Sequence, residues 1–378
     1  MHDIEKPEVF LVTKPLVPPW DDSAKNIAHA QVRFAGGYRY RALVTKERGS
    51  SPLSPQCTCV PLYDDQGTYA AGLSRNLRVF LYGVRPRGAA LYHYFFAPNP
   101  VTSLAGRALA QISGVPSVQT ICSIPRNTQA FASLLFADAV IALSQHTRGL
   151  CIASGFPAAR ISVVRPGIEP IARPKEEKRA ATKSELGLPP TSRIVLYPGD
   201  LEFSSASRTV AAAAESILIQ NADAVLVLAC RAKTGAAAQV LGELKRRLES
   251  HTREGRVVFL EHVQDMPALV GASDAVVLPA ETLYAKMDAP LVVLEAMSQR
   301  IPVVLADVGP LSELLETGCG IGVAPADPGR LATAVSTILS TPSLAETLGQ
   351  RGEAAVATTF NAAAMSQAVE TIYDEVLR

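Results

Sequence analysis

Between Arg256 and Gly322 the chain spells out strand, loop, helix and strand in immediate succession, an order that few folds accommodate. Val257-Val258-Phe259-Leu260 and residues 274–279 are short, continuous apolar runs of the kind buried in parallel sheets. Residues 290–297 then read as the start of a helix and 301–306 as the next strand. The segment predicts an open α/β sheet with a ligand site at its strand ends.

The chemistry of such a site follows from backbone physics. The loop from Glu281 to Ala289 enters a helix whose first amides have no intrahelical partner and whose dipole presents partial positive charge, an arrangement that binds phosphate. Pro290 suits the first turn, where its missing N–H costs nothing. Glu295 lies about one and a half turns further in. There its carboxylate can accept hydrogen bonds from ribose hydroxyls while Ala289, Pro290 and Leu291 face a diphosphate. The plainer alternative is an ordinary buried helix with a surface acid. The strand that follows, and Asp307-Val308-Gly309 after it, favour the nucleotide reading.

At 378 residues, 48% hydrophobic and 19% charged, the chain is long enough for two domains with separate cores, and it is neither fibrous nor disordered. A net charge of +1 gives no global field for nucleic acid, though it leaves room for a local basic patch facing an anionic lipid. The start, Met-His-Asp-Ile-Glu-Lys, lacks a leader pattern, and no stretch reaches about 18 apolar residues. We expect a cytoplasmic protein, with room for peripheral contact at the inner membrane face. Of six cysteines only Cys57 and Cys59 are close, and a lone C-x-C is no zinc framework, so free thiols are expected. No Asp-x-Asp occurs, and no metal or cofactor is expected.

Strands are predicted at 9–13, 40–45, 78–82, 90–96 and 117–121, with helical stretches such as 106–113 between them. The loop after the first strand is unusually polar: Asp21, Asp22, Ser23, Lys25 and Asn26 offer donors and acceptors to a hydroxyl-rich acceptor, or else cap the next helix. His93 and Asn99 stand at the end of the 90–96 run and are further acceptor candidates, although a His beside three aromatics more often packs. In the second half, the strand at 194–200 ends in Gly199, which admits close approach of a ligand, and Asp200. Arg231 and Lys233 follow the strand at 224–230, where they could neutralise a diphosphate or stand as solvated loop charges.

Ser273 to Glu281 (SDAVVLPAE), Leu294-Glu295-Ala296-Met297 and Pro302-Val303-Val304 occur in an order that resembles family 4 glycosyltransferases; Ala137 to Ser144 (ADAVIALS) matches a strand of that family, and Ile161 to Glu169 its last strand before the hinge. The resemblance implies the GT-B fold: α/β, two Rossmann-like doubly wound domains facing an interdomain cleft. The expected boundaries are 1–170 for an acceptor domain, 171–192 for a linker, 193–357 for a nucleotide-sugar domain and 358–378 for a helix crossing back. It implies a nucleotide-diphosphate sugar as co-substrate, with Val263 among the donor contacts, a hydroxyl acceptor, and retention at the anomeric carbon without a metal. The chain departs from the family pattern at three places. The first Glu of the family's Glu-x7-Glu is Met287, flanked by Lys286 and Asp288, which are the candidates to attend phosphate and sugar. The usual Arg and Lys pair is replaced by Asp200 and Ser204-Ser205, leaving Arg231, Lys233 and Lys286 to supply charge. Cys122 stands for the acceptor-side His. A non-catalytic GT-B protein binding a glycan or a partner glycosyltransferase is therefore the alternative, and a sugar-nucleotide epimerase or phosphorylase is a weaker third.

Overall fold

A computed structural model describes residues 6–20, 22–49, 51–64 and 73–378. The first half of the chain runs through β1 (Glu8–Val12), α1 (Ser23–Phe34), β2 (Arg39–Thr45), β3 (Cys57–Tyr63), α2 (Leu73–Gly83), β4 (Leu91–Phe96), α3 (Pro100–Ser113), β5 (Ser117–Ile121), β6 (Ala139–Ala142), α4 (Gln145–Ala153) and β7 (Ile161–Val163). The second half continues with α5 (Glu176–Glu185), β8 (Arg193–Tyr197), α6 (Ala206–Gln220), β9 (Ala224–Ala229), α7 (Gly235–Arg247), α8 (Glu249–Arg253) and β10 (Val257–Leu260). It ends with α9 (Met266–Ala272), β11 (Ala275–Leu278), α10 (Leu291–Ser298), β12 (Val303–Ala306), α11 (Pro310–Leu315), β13 (Gly320–Val323), α12 (Pro328–Ser340), α13 (Pro342–Thr358) and α14 (Ala362–Val376).

These elements form two compact units. The first comprises residues 1–169, Tyr284–Asp288 and Phe360–Arg378; the second comprises Pro170–Leu283 and Ala289–Thr359. In the first, seven parallel strands lie in the order β3-β2-β1-β4-β5-β6-β7. All five residues of β1 are buried, because a strand covered on both faces has no solvent side for a polar residue. Phe10 meets Tyr92 edge to face at 5.1 Å in this core. Helix α14 packs on α1, and its Glu370 accepts hydrogen bonds from the Gly37 amide at 2.9 Å and the Tyr40 hydroxyl at 3.0 Å. The second unit holds six parallel strands in the order β10-β9-β8-β11-β12-β13. Both are doubly wound α/β sheets of Rossmann type.

Three elements differ from expectation. Residues 78–82, expected as a strand, lie in α2: Leu77, Leu81 and Val84 repeat at helical spacing, whereas the short run Val79-Phe80-Leu81-Tyr82 read alone has no period. Strand β3 was hidden by the reading of Cys57 and Cys59 as thiols, yet Cys57 and Cys59 are buried on one face with Thr58 exposed between them, the alternation of a strand. The helix expected from residue 106 starts at Pro100, where Asn99 caps it.

Candidate functional site

In the second unit, chain order reverses across the sheet between β8 and β11, and a crevice at such a switch point is where open α/β sheets bind ligands. The loop leaving β8 is already full of internal bonds. Asp200 Oδ1 accepts the amides of Glu202 at 3.0 Å, Phe203 at 2.6 Å and Ser204 at 3.3 Å. Glu281, in the loop leaving β11, takes the Ser205 amide with both oxygens, at 2.7 and 3.0 Å, and the Ser205 hydroxyl at 2.9 Å. Four consecutive amides entering α6 are thus satisfied by carboxylates. Asp200, expected as a donor contact, here closes its own loop, a common use of Asp in turns.

Gly199 also has a different reason from the expected one. A Cβ there would fall 2.0 Å from the ring of Tyr197, so the missing side chain makes room for that buried ring and not for a ligand. The Tyr197 hydroxyl donates to the Asp200 carbonyl at 2.7 Å and holds the turn.

Like α6, the other helix at the switch point starts without a side-chain cap. Pro290 is the N-cap of α10, one position before the helical residue it was expected to be, and no side chain caps that end. Its carbonyl accepts the Val293 amide at 2.9 Å. Ala289 and Pro290 are buried and Leu291 is half-buried. Glu295, further along α10, is half-buried, and its carboxyl is pushed up to about 7, first by burial and then by the nearby charge of Asp265. Its proton therefore comes and goes near neutral pH. Arg231 and Lys233 are exposed just past β9, and Val263 is half-buried in the loop after β10.

Lys286, Met287 and Asp288 belong to the first unit. Lys286 is half-buried and Met287 is 2% exposed. Asp288 is buried and accepts a 2.6 Å hydrogen bond from the Ser144 hydroxyl, which in turn accepts the Thr147 amide at 3.0 Å and caps α4. Asp288 is thus placed in a buried bond and is not open to a sugar. Arg126 lies over the Tyr284 ring at 4.9 Å. Cys122 is buried, and burial raises its thiol pKa, leaving it neutral.

Acceptor candidates mostly serve the local structure. His93 is fully buried; its Nδ1 meets the Tyr373 hydroxyl at 2.6 Å and its Nε2 meets Thr120 Oγ1 at 2.7 Å. Burial lowers its pKa to about 3, so it is a neutral packing residue, which corrects its place among the acceptor contacts. Asn99 caps α3 through Thr102 at 3.0 Å. Asp22 caps α1 through the Lys25 amide at 3.2 Å and pairs with Lys14. Ser23 opens that helix, Lys25 is buried with its ammonium 5.5 Å from the Trp20 ring centre, and Asn26 donates to the Trp20 carbonyl at 3.2 Å. Asp21 lies outside the described residues. Sequence reasoning missed Glu281 and Ser144. The cap of α4 is written in Ser144-Gln145-His146-Thr147, but neither carboxylate partner has a local signal. Among the described residues no cluster of three His, Cys, Asp or Glu side chains could hold a metal, and no helix is long and apolar enough to cross a membrane.

Two parallel doubly wound units are also the architecture of known glycosyltransferase structures. HepE of Anabaena, solved in complex with UDP, superposes with a TM-score of 0.76 over 98% of this chain and 100% of that one, at 17% identity. Sucrose-phosphate synthase of Thermosynechococcus elongatus gives 0.76 over 98% and 99%, at 21% identity. The chain has the GT-B fold. Within it, residues 192–341 match the family described as glycosyl transferases group 1. D-inositol 3-phosphate glycosyltransferase 2 of Catenulispora acidiphila is 30% identical over 246 residues, 63% of this chain and 56% of that relative, so the chain spans about half the length of that relative.

Proposed function

We propose that the chain is a retaining glycosyltransferase that moves a hexosyl unit from a nucleotide-diphosphate sugar to a hydroxyl acceptor without a metal. One observation carries the reading. Of the two helices that start at the switch point of the second unit, neither has a side-chain cap, but the loop amides leading into α6, from Glu202 to Ser205, are bonded to Asp200 and Glu281, while α10 carries the half-buried Glu295. The bonded loop before α6 and the acid on α10 support a diphosphate at the start of α10, with Glu295 at the ribose. As the glycosidic bond breaks, negative charge grows on the leaving diphosphate, and pre-oriented amides at Leu291 and Val292 stabilise it. Arg231 and Lys233 supply cations from the neighbouring strand end. The similarity to an inositol-phosphate glycosyltransferase supports a small hydroxylated acceptor, and the UDP complex of HepE supports a uridine donor.

The test is turnover with a panel of nucleotide sugars, wild type against Glu295→Ala. Loss of a charged ribose contact should lower kcat/KM by about tenfold to a hundredfold. Equal turnover by the variant, or none by the wild type with any donor, rejects the reading. The saturated β8–α6 loop favours a second reading, in which donor contacts were given up and the protein binds a glycan or a partner glycosyltransferase without catalysis. Stabilisation by a glycan, with neither turnover nor stabilisation by any nucleoside diphosphate, would select it.

A further inference from the structure

The charge of this chain is near balance overall but not locally. Between Asp65 and Asp138 there is no acid and no lysine, and six arginines stand at positions 75, 78, 85, 87, 107 and 126; in the remainder, acids outnumber Lys and Arg by 35 to 30. The same stretch contains α2 and α3, which lie side by side in the first unit, with the Leu109 side chain 2.9 Å from where a Cβ on Gly83 would sit.

These two helices carry five of the nine large hydrophobic side chains that are exposed among the described residues. Leu77 and Leu81 on α2 are 55% and 60% exposed, and Val101, Leu104 and Ile112 on α3 are 61%, 68% and 58% exposed. Spacings of four on α2, and of three and eight on α3, put each set on one face of its helix. Single exposed leucines need no explanation, but clustered ones mark a surface that meets something apolar. Arg85, Arg87 and Arg107 are exposed on or just after the same helices, and Arg78 is exposed but paired with Asp64.

We propose that the α2–α3 face docks onto an anionic lipid bilayer, with the aliphatic ridge entering the headgroup–acyl boundary and the arginines meeting lipid phosphates. A second copy of the chain would bring the same positive charge against this one. The ridge is aliphatic, made of Leu, Val and Ile, whereas protein hot spots favour Trp, Tyr and Arg at their centres. An apolar ridge bordered by cations is the pattern of a helix lying in a membrane surface. The proposal does not depend on the reading of the sugar-nucleotide site.

Co-sedimentation of the full chain with vesicles tests it. Wild type should pellet with phosphatidylglycerol and phosphatidylcholine mixed in equal parts, stay in solution with phosphatidylcholine alone, and be released by salt. Leu81→Glu with Leu104→Glu should weaken binding at least about tenfold, since each places a carboxylate in the lipid boundary. Arg85→Gln and Arg107→Gln should each weaken it about fivefold. Leu81, Leu104 and Arg85 are exposed, so melting temperatures of those variants should stay at the wild-type value, while Arg107→Gln also gives up a 2.9 Å bond to the Ser133 carbonyl. Binding that ignores lipid charge, or that survives both sets of substitutions, overturns the proposal. So does sedimentation velocity in which Leu104→Glu splits a dimer, or preferential capture of an acidic protein over the anionic vesicles.

Discussion

Glu281 grips the Ser205 backbone amide with both carboxylate oxygens, at 2.7 and 3.0 Å, and so places a resident anion at the start of α6. A carboxylate at a helix N-terminus is stabilised by unpaired amides and by the helix dipole. Together with Asp200 it uses the donors that a ligand phosphate would otherwise find there.

Replacing Glu281 by Ala should cost about 1 kcal/mol in urea unfolding, the value of a charge-assisted cap. Glu281→Gln keeps an acceptor oxygen and should recover part of that loss. An alanine variant as stable as wild type would show that the contact does not hold α6.

Glu295 makes stability depend on pH. Its folded pKa, about 7, lies above its ordinary value of 4.5, so the folded state binds the proton more tightly. Its contribution is fully present below pH 4.5 and is lost as pH rises through 7. Glu295→Gln, which cannot ionise, should be more stable than wild type at pH 8 by about 2 kcal/mol, with the gap closing by pH 4. Parallel urea curves at the two pH values would check this, and a constant difference would refute it.

A methyl group at position 199 has no room. Gly199→Ala should destabilise by about 1–3 kcal/mol, because the Tyr197 ring it meets is fully buried and cannot swing into solvent. Thermal unfolding with an unchanged midpoint would contradict this packing.

Ser144 serves two partners at once, so Ser144→Ala removes the cap of α4 and leaves the buried Asp288 without that donor. The expected loss is about 2–3 kcal/mol, more than an ordinary cap deletion, and Ser144→Thr should restore most of it. A cost no larger than that of a surface cap would mean that the bond to Asp288 contributes little.

Much of the architecture was legible because strands buried on both faces must be apolar throughout. The runs at 275–278 and 303–306, buried throughout, could be read as parallel strands from residue type alone, and 257–260 reads the same way although at the sheet edge three of its four residues are only half-buried. Residues 78–82 misled because the four-residue run Val79-Phe80-Leu81-Tyr82 fits either period, and only the flanking Leu77 and Val84 reveal the helix. At the site, the sequence marked the entry to α10 and the acid at 295, but it offered Asp200 and Gly199 as ligand contacts.

By itself, then, the amino-acid order determined two α/β sheets and the start of α10 near residue 290, since both follow from local periodicity and residue type. The tertiary structure alone decided which acids are already engaged. Glu281 and Ser205 are 76 residues apart and Ser144 and Asp288 are 144 apart. Strand order and packing, not neighbouring residues, bring such pairs within reach, so no local pattern in the chain records them.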